Sequence, residues 1–467
     1  MSSYPCFQHK GFPNRWLQWI KCILGSGTSK VLINGVSGKT IHCKRGVRQG
    51  DPLSPLLFVL AADLLQTLVN EAYRRGVISM PLQNSYGQDY PIVQYADDTL
   101  IIMPADSRQL LFLKSLLHTY TISTGLKVNF NKSFLVPINL PEGRAQNLAG
   151  LLGCQVASMP FTYLGLPLGT TKPVVDDFMP ILNRMERRLM GITPLLTYAG
   201  RLTINNSVLT AIPMYFMSTI KVPIGVIKQI DKYRRHCLWR GSDINKKGNC
   251  LAAWKKITRP KNQGGLGIIN IEAQNKAMLL KHLRKFYNKV NVPWVNLIWQ
   301  TYYSSNAAPQ ARSPRGSFWW RALCRLFDTY RGYAKAIAGK GDTILFWSDL
   351  WDFGCLKNIF PQLYSFAREP NCSVSRFMSL LPNMNRIFQL PLSPIASHQL
   401  AELMETLNDW QHADDNNDRW VYIWDQVHSP LSRLMFKSLD TWRQQRHLNG
   451  YGNRNAKSST KFSFGSC

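Results

Sequence analysis

The chain has 467 residues, 45% of them apolar, and its 56 Lys and Arg against 27 Asp and Glu give a formal net charge of +29. This length predicts two to three domains, and the apolar content excludes a chain that is disordered throughout. The positive excess predicts a polyanionic partner, most simply nucleic acid, with a ribosome- or membrane-surface protein as the alternative.

The first ten residues and the cysteines bear on where the protein works. Residues 1–10 lack the apolar core of a signal peptide, and no run of eighteen uninterrupted apolar residues occurs in the chain. The ten cysteines are scattered without a CxxC pair, which favours free intracellular thiols. We therefore expect an intracellular protein, in the nucleus or cytoplasm, with no transmembrane segment and no membrane partner.

Residues 11–58 predict a helix, two strands and a second helix. Gly11–Ile20 has apolar residues at helical spacing, and Lys30–Gly35 and Lys39–Lys44 have strand character around a Gly-rich turn. The first fifty residues hold eight Lys or Arg and no Asp or Glu, which suits contact with phosphate. In the run Arg45–Phe58, glycine at position 50 permits close backbone approach, and a proline two residues later begins an apolar helix.

The run Pro91–Met103 is apolar and strand-favouring on both sides of two adjacent acids, Asp97 and Asp98. This pattern predicts a β-hairpin that carries the carboxylates at its tight turn. Because no Lys or Arg in the run neutralises the pair, a divalent cation is the natural partner, and Mg²⁺ prefers carboxylate oxygens. The alternative is a solvated turn, in which Asp-Asp is common.

The segment after the hairpin predicts an amphipathic helix from Leu110 to Tyr120, ended by Gly125 as a C-cap. Residues Val128–Ser133 then predict a strand or loop. Further on, the block Tyr163–Gly169 is followed by helical spacing over residues 177–190, 201–209 and 226–239.

Residues 221–289 hold seventeen Lys or Arg against three Asp or Glu. Five aromatic residues lie among these charges: Tyr233, Trp239, Trp254, Phe286 and Tyr287. Basic residues interleaved with aromatics suit a groove that follows a phosphate backbone and stacks bases. The alternative is a solvated helix face over core aromatics.

Beyond residue 303 the sequence is linker-like and then rich in Trp, in Phe318–Trp320 and Phe346–Trp351. We interpret these aromatics as core packing. Acidic residues between 402 and 425 predict a solvated surface or loop: Asp409, Asp414, Asp415 and Asp418. The composition of residues 449–467 favours disorder.

Four blocks occur in one order: Arg45–Phe58, Gln94–Thr99, Gly125–Asn129 and Tyr163–Gly169. Together they resemble the palm of a LINE-type, non-LTR retrotransposon reverse transcriptase, with the plant branch as the nearest fit. The resemblance implies an α+β fold with a partial polymerase palm, a helical thumb and a poorly defined Trp-rich region. The implied divisions are 1–170 for fingers and palm, 171–303 for the thumb, 304–448 for the Trp-rich region and 449–467 for the tail.

The resemblance also implies RNA-directed DNA synthesis, in which two Mg²⁺ ions assist attack of a primer 3′-hydroxyl on a dNTP. Asp97 would bridge the metals, Asp98 would support it, and Lys132, with Lys127 as runner-up, would protonate the pyrophosphate. The residues implied to contact template or nucleotide are Arg45, Arg48, Gln49, Gly50 and Tyr95. Those implied to grip the primer are Tyr163, Leu164 and Gly165. The partners would be an RNA template, a DNA primer and a dNTP.

One further carboxylate of the family would precede Gly11 by about twenty residues, and the ten residues before Gly11 contain no Asp or Glu. We therefore expect a fragment truncated at both ends and catalytically incomplete, since a two-metal centre needs both groups of carboxylates. A non-catalytic nucleic-acid-binding remnant and a translated pseudogene stay open as alternatives.

Overall fold

The computed structural model describes residues 11–43, 50–81, 89–192, 196–241, 250–303, 309, 316–351, 354–408 and 417–423. The chain divides into two compact units, residues 1–161 and residues 162–467. Helices and short strands occur in both units, so the predicted α+β class is confirmed. The four-part division that the resemblance implies stays a prediction.

Within its described residues, the first unit contains four helices and three two-stranded sheets. The helices are α1 (Asn14–Gly25), α2 (Ser54–Arg74), α3 (Ser107–Thr124) and α4 (Glu142–Leu152). Antiparallel hairpins join β1 (Thr28–Ile33) to β2 (Val36–His42), and β3 (Ile92–Tyr95) to β4 (Asp98–Ile101). A short parallel pair consists of β5 (Phe134–Leu135) and β6 (Gln155–Val156).

The core of the first unit lies where α2 packs against α3 and the β3–β4 hairpin. Leu65 and Val69 of α2 are buried with Leu113 and Leu117 of α3. Each buried leucine contributes about 2 kcal/mol. Helix α3 starts at Asp106, whose side chain accepts from two backbone amides, and ends at Gly125 with φ of 79°, so the predicted C-cap is confirmed.

Helix α2 is, within the described ranges, the single helix long and apolar enough to cross a membrane by length and composition. The sequence analysis predicted no such segment. Part of this apolar content packs in the core, at Leu57, Leu65 and Val69, whereas Leu56 and Val59 are exposed. A polar residue in the last turns of α2 also has partners inside the unit. Asn70 accepts from the Tyr90 amide at 2.8 Å and donates to Asp89 at 2.8 Å.

The second unit is mainly helical, and it begins with the hairpin of β7 (Phe161–Tyr163) and β8 (Leu166–Leu168). Its first helices are α5 (Met179–Ile192), α6 (Tyr198–Ile204), α7 (Met214–Met217), α8 (Ile224–Trp239), α9 (Trp254–Ile257), α10 (Ile271–Tyr287) and α11 (Pro293–Tyr302). They are followed by α12 (Phe318–Cys324), α13 (Phe327–Tyr333), α14 (Leu356–Ile359), α15 (Pro361–Ser365), α16 (Val374–Leu380), α17 (Met384–Ile387) and α18 (Pro394–Asn408). Strands β9 (Ala334–Ile337) and β10 (Arg419–Tyr422) pair antiparallel.

Two apolar cores organise this unit. One joins α5 to α8, with Met185 and Ile230 fully buried at its centre. The other runs from α10 to β10 and buries Trp320, Trp347 and Trp351. The interpretation of the aromatics in the Trp-rich region as core packing is therefore confirmed. The same core includes residues of α10, which lies before the predicted start of this region at residue 304.

Asp418 corrects the prediction that residues 402–425 form a solvated acidic surface; Asp409, Asp414 and Asp415 lie outside the described residues. The Asp418 carboxylate is buried and accepts from the amides of Gly339, Gly341 and Thr343 at 2.9, 2.7 and 2.8 Å. The Thr343 hydroxyl donates to it at 2.8 Å. The acidic composition of residues 402–425 predicted exposure to solvent. Burial of Asp418 could not be predicted, because a single buried acid that binds a loop leaves no periodic pattern in the sequence.

Replacing Asp418 with Ala should destabilise the second unit by about 3 kcal/mol or more, because three buried amides lose their acceptor. Asp418→Asn keeps the shape and should cost less. Urea unfolding followed by tryptophan fluorescence measures the change in the free energy of unfolding. Glu405→Ala, at an exposed position of α18, is the control and should stay within about 0.5 kcal/mol. An Asp418→Ala protein as stable as this control would contradict the structural role.

Candidate active site

The β3–β4 hairpin has the geometry that the sequence predicts. Its register pairs Ile92 with Ile101 and Tyr95 with Asp98, so Ala96 and Asp97 form a two-residue turn. Asp97 and Asp98 are both exposed, and the Tyr95 side chain is 64% exposed. The predicted turn between antiparallel strands, with accessible carboxylates, is confirmed.

Helix α2 fixes the position of this hairpin. The inner side chains Ile92 and Ile101 pack on the core that α2 and α3 share. The side-chain amide of Gln94 donates to the Ala62 carbonyl at 3.3 Å. The side-chain amide of Gln66 donates to the carbonyl of Tyr90, just before β3, at 3.0 Å. The turn therefore projects from a packed base, and its carboxylates extend away from the apolar contacts.

Ala96 adopts a left-handed backbone conformation, with φ of 50°. This conformation costs about 1 to 2 kcal/mol for a residue with a Cβ atom, and such strain is concentrated at functional sites. This conformation could not be predicted from the sequence, because an alanine at a turn position has no distinctive pattern. The turn presents the two adjacent carboxylates, Asp97 and Asp98, at the tip of the hairpin.

The acidic pair fits one divalent cation in part. Mg²⁺ is commonly bound by one or two carboxylates together with water and substrate phosphates, and Asp97 and Asp98 supply that number. Within the part of the chain that the structure describes, no group of three or more His, Cys, Asp or Glu residues could hold a metal ion. Asp97 and Asp98 thus supply two of the carboxylates of the two-metal centre that the resemblance implies.

The predicted nucleotide residues are described only in part. Arg45, Arg48 and Gln49 lie outside the described residues. Gly50 has a φ of 88°, a backbone conformation that favours glycine. A Cβ atom at this position would have room, since nothing beyond the chain neighbours lies within 4 Å of it. Next to it, the Asp51 carboxylate accepts from the Leu53 amide at 2.9 Å, before α2 begins.

The two candidate lysines lie on a segment that packs near the hairpin. Residues Phe130–Lys132 form a 3₁₀ turn and not the strand that was one alternative, and Asn129 caps it by accepting from the Lys132 amide at 3.3 Å. Val128 and Phe130 pack on the same core as Ile92 and Ile101. Lys127 and Lys132 are both exposed, and their chemical role stays a prediction.

The predicted primer-grip block forms a second tight hairpin. Leu164 and Gly165 both have positive φ, of 49° and 77°, at the turn between β7 and β8. The Tyr215 hydroxyl donates to the Leu164 carbonyl at 2.9 Å and ties the turn to α7. Sequence reasoning missed Tyr215, because a contact across fifty-one residues leaves no local pattern.

The basic segment 221–289 has fewer stacking faces than predicted. Tyr233, Phe286 and Tyr287 are buried in the cores, and Trp239 and Trp254 pack against a third small cluster. The helical spacing of these aromatics directs them inward, which is the alternative that the sequence analysis left open. One of the cations is also internal, since Arg234 is fully buried and pairs with Asp231 at 2.9 Å.

Comparisons with known proteins agree with this geometry. The model of the family "Reverse transcriptase (RNA-dependent DNA polymerase)" matches residues 3–168. A ribonuclease H-like protein of Arabidopsis thaliana is 34% identical over 185 residues, which are 38% of this chain and 30% of the relative. The Pol polyprotein of the type-2 retrotransposable element R2DM of Drosophila melanogaster is 27% identical over 316 residues, covering 63% of this chain and 27% of the relative. That of element R2 of Popillia japonica is 22% identical over 290 residues, or 58% and 44%.

Residues 3–168, with their hairpin and its acidic pair, are therefore a reverse transcriptase domain. The chain is similar to Pol polyproteins of non-LTR retrotransposons, and its plant relative supports the LINE-type branch that the motifs indicated. The chain spans between 27% and 44% of the length of these three relatives.

Replacing Ala96 with Gly should remove the strain at the hairpin turn and stabilise the first unit by up to about 1 kcal/mol. The matched control is Ala61→Gly inside α2, where glycine should destabilise by about 1 kcal/mol. Hydrogen exchange of the first unit's backbone amides measures both changes. Two variants that destabilise equally would contradict the assignment of strain to Ala96.

Proposed function

We propose that the chain is the nucleic-acid-binding part of an RNA-directed DNA polymerase and holds an RNA template and a DNA primer. The observation that carries this proposal is the β3–β4 hairpin, which presents Asp97 and Asp98 together at a strained, exposed turn. The excess of 29 positive charges supplies the attraction for the phosphate backbone. An intracellular location, in the nucleus or cytoplasm, belongs to the same proposal.

Reverse transcriptases generally use divalent metal ions, and in this proposal Asp97 and Asp98 hold one Mg²⁺. A bound ion would neutralise the adjacent carboxylates and supply charge stabilisation for phosphate oxygens. Gln49, Gly50 and Tyr95 would shape the place of the template base and dNTP, with Arg45 and Arg48 on phosphate. Lys132 would donate a proton to the leaving group.

The second candidate function is nucleic-acid binding without chemistry. The observation that favours it is the number of metal ligands: among the described residues, no third His, Cys, Asp or Glu lies beside Asp97 and Asp98 to form a metal-binding group. Loss of one bridging ligand in a two-metal site would remove several kcal/mol of transition-state stabilisation, roughly a thousandfold in rate. On this second candidate, the 467-residue chain alone would bind primer–template without extending it.

Binding to RNA and DNA should show little sequence preference and should weaken steeply with salt, because phosphate neutralisation releases counterions. With several exposed cations in contact, we expect a slope of log K against log salt concentration of roughly −3 or steeper. Fluorescence anisotropy of a labelled RNA–DNA hybrid, titrated between about 50 and 200 mM salt, measures this slope. A flat plot would exclude backbone contact as the main source of affinity.

Primer extension by the 467-residue chain should stay at background with either Mg²⁺ or Mn²⁺, while binding of the primer–template persists. Asp97→Asn should leave that binding within about threefold, because affinity depends on the cations and not on the acidic pair. Glu142→Gln, an exposed acid of α4, is the charge-matched control. Extension that Asp97→Asn abolishes and Glu142→Gln preserves would show that a third carboxylate completes the site, and the non-catalytic candidate would be wrong.

A further inference from the structure

Three cations from separate segments of the second unit lie within electrostatic range of Lys221. Lys172 follows β8, Lys276 lies on α10, and Arg325 directly follows α12; all three act electrostatically on Lys221, which precedes α8. Lys172 and Arg325 are exposed. We name these four residues the cation cluster.

Three side chains hold the main chain just before Lys221 in place. Asn275 of α10 donates to the carbonyls of Met217 and Ile220 at 2.8 and 2.9 Å, and accepts from the amide that follows Lys221 at 2.9 Å. His282 Nε2 donates to the Ser218 carbonyl at 2.9 Å. Trp319 Nε1 donates to the Thr219 carbonyl at 2.7 Å.

These bonds bring together the segments that carry three of the cations. Lys276 is next to Asn275 in α10, and Trp319 belongs to α12, the helix that ends beside Arg325. The fourth cation arrives with the loop before α5, because Val175 Cγ2 lies 3.5 Å from the position of a Cβ on Gly225, in the first turn of α8. The cluster is therefore built by tertiary contacts and is not a run of neighbours in sequence.

The charge of the cluster is poorly neutralised. Glu272 is the acid that acts on Lys221, and it forms an ion pair with Lys276 at 2.7 Å. Burial, followed by the charges of Arg325, Lys276 and Lys172, lowers the pKa of Lys221. Because like charges this close repel one another, the cluster disfavours the free folded chain, and a polyanion in contact with it would relieve the repulsion.

We propose that the cation cluster binds neighbouring phosphates along one strand of a nucleic acid. The position of the cluster favours this ligand: Tyr215, which bonds Leu164 in the predicted primer-grip turn, is six residues before Lys221 on the same pinned segment. Arg and Lys suit phosphate oxygens, and fixed main-chain geometry reduces the entropy lost on binding. This inference rests on the proposed function and assigns its phosphate contacts to particular side chains.

The test compares two variants that each lose three charges. The cluster variant carries Lys172→Gln, Lys221→Gln and Arg325→Gln. The control variant carries Lys228→Gln, Lys232→Gln and Lys285→Gln, at exposed positions of α8 and α10 outside the cluster. Anisotropy with the labelled RNA–DNA hybrid gives the affinity and the salt slope of each protein.

We expect the cluster variant to lose affinity on the order of 100-fold near physiological salt and its salt slope to become shallower by about 3. The control variant should stay within about threefold. Equal losses in both variants would overturn the cluster proposal and leave general electrostatic binding intact. Loss in neither variant, with wild-type binding, would overturn it as well. A wild-type chain that does not bind at all would overturn the proposed function too.

Thermal unfolding of the free proteins separates a ligand site from a structural one. Because the cations repel one another, the cluster variant should unfold at the same temperature as wild type or above it. The conservative variant with Lys221→Arg should retain the affinity, since it keeps the charge. A cluster variant that unfolds several degrees lower, together with a loss of affinity in Lys221→Arg, would show that these residues serve the fold and not the ligand.

Discussion

Main-chain N–H and C=O groups that leave water must find hydrogen-bond partners, and much of this fold consists of irregular segments that cannot pair in a ladder. Single buried polar side chains supply those partners. Asn70 accepts from the Tyr90 amide just before β3, Asn275 bonds three main-chain groups before α8, and Asp418 accepts from three amides in the turn after β9. Each of these residues converts a loop into a fixed platform.

The functional groups stand on such platforms. In the first unit, Asn70 and Gln66 hold the entry to the hairpin that presents the acidic pair. In the second unit, Asn275 holds the segment that presents Lys221 among other cations. The chain thus fixes like charges beside one another, which costs folding stability and becomes favourable when the opposite charge binds.

Sequence patterns predicted the parts of this design that depend on neighbours in the chain. The apolar flanks of Asp97 and Asp98 predicted the hairpin, and Gly125 predicted the end of α3 correctly. Burial of Asp418 and the meeting of Lys221 with Arg325 were not predictable in this way. Both depend on residues that the fold brings together from 75 or more positions apart, and neither leaves a local period.

The basic segment illustrates the same limit. Its composition predicted a nucleic-acid surface, and helical spacing could not say which aromatic or cationic side chains point inward. Tyr233, Phe286 and Arg234 are internal, so density of charge along the sequence overestimates the surface available to a ligand. The cations that remain exposed, and above all those that converge, are the better guide to where phosphate is held.

Lysine-reactivity footprinting by mass spectrometry, with and without an RNA–DNA hybrid, tests the central claim that the second unit holds the nucleic-acid backbone at the cation cluster. The account predicts strong protection of Lys172, Lys221 and Lys276, and unchanged reactivity at Lys357, which lies on α14. Equal protection at all four lysines, or protection at none under conditions where the hybrid is bound, would contradict it.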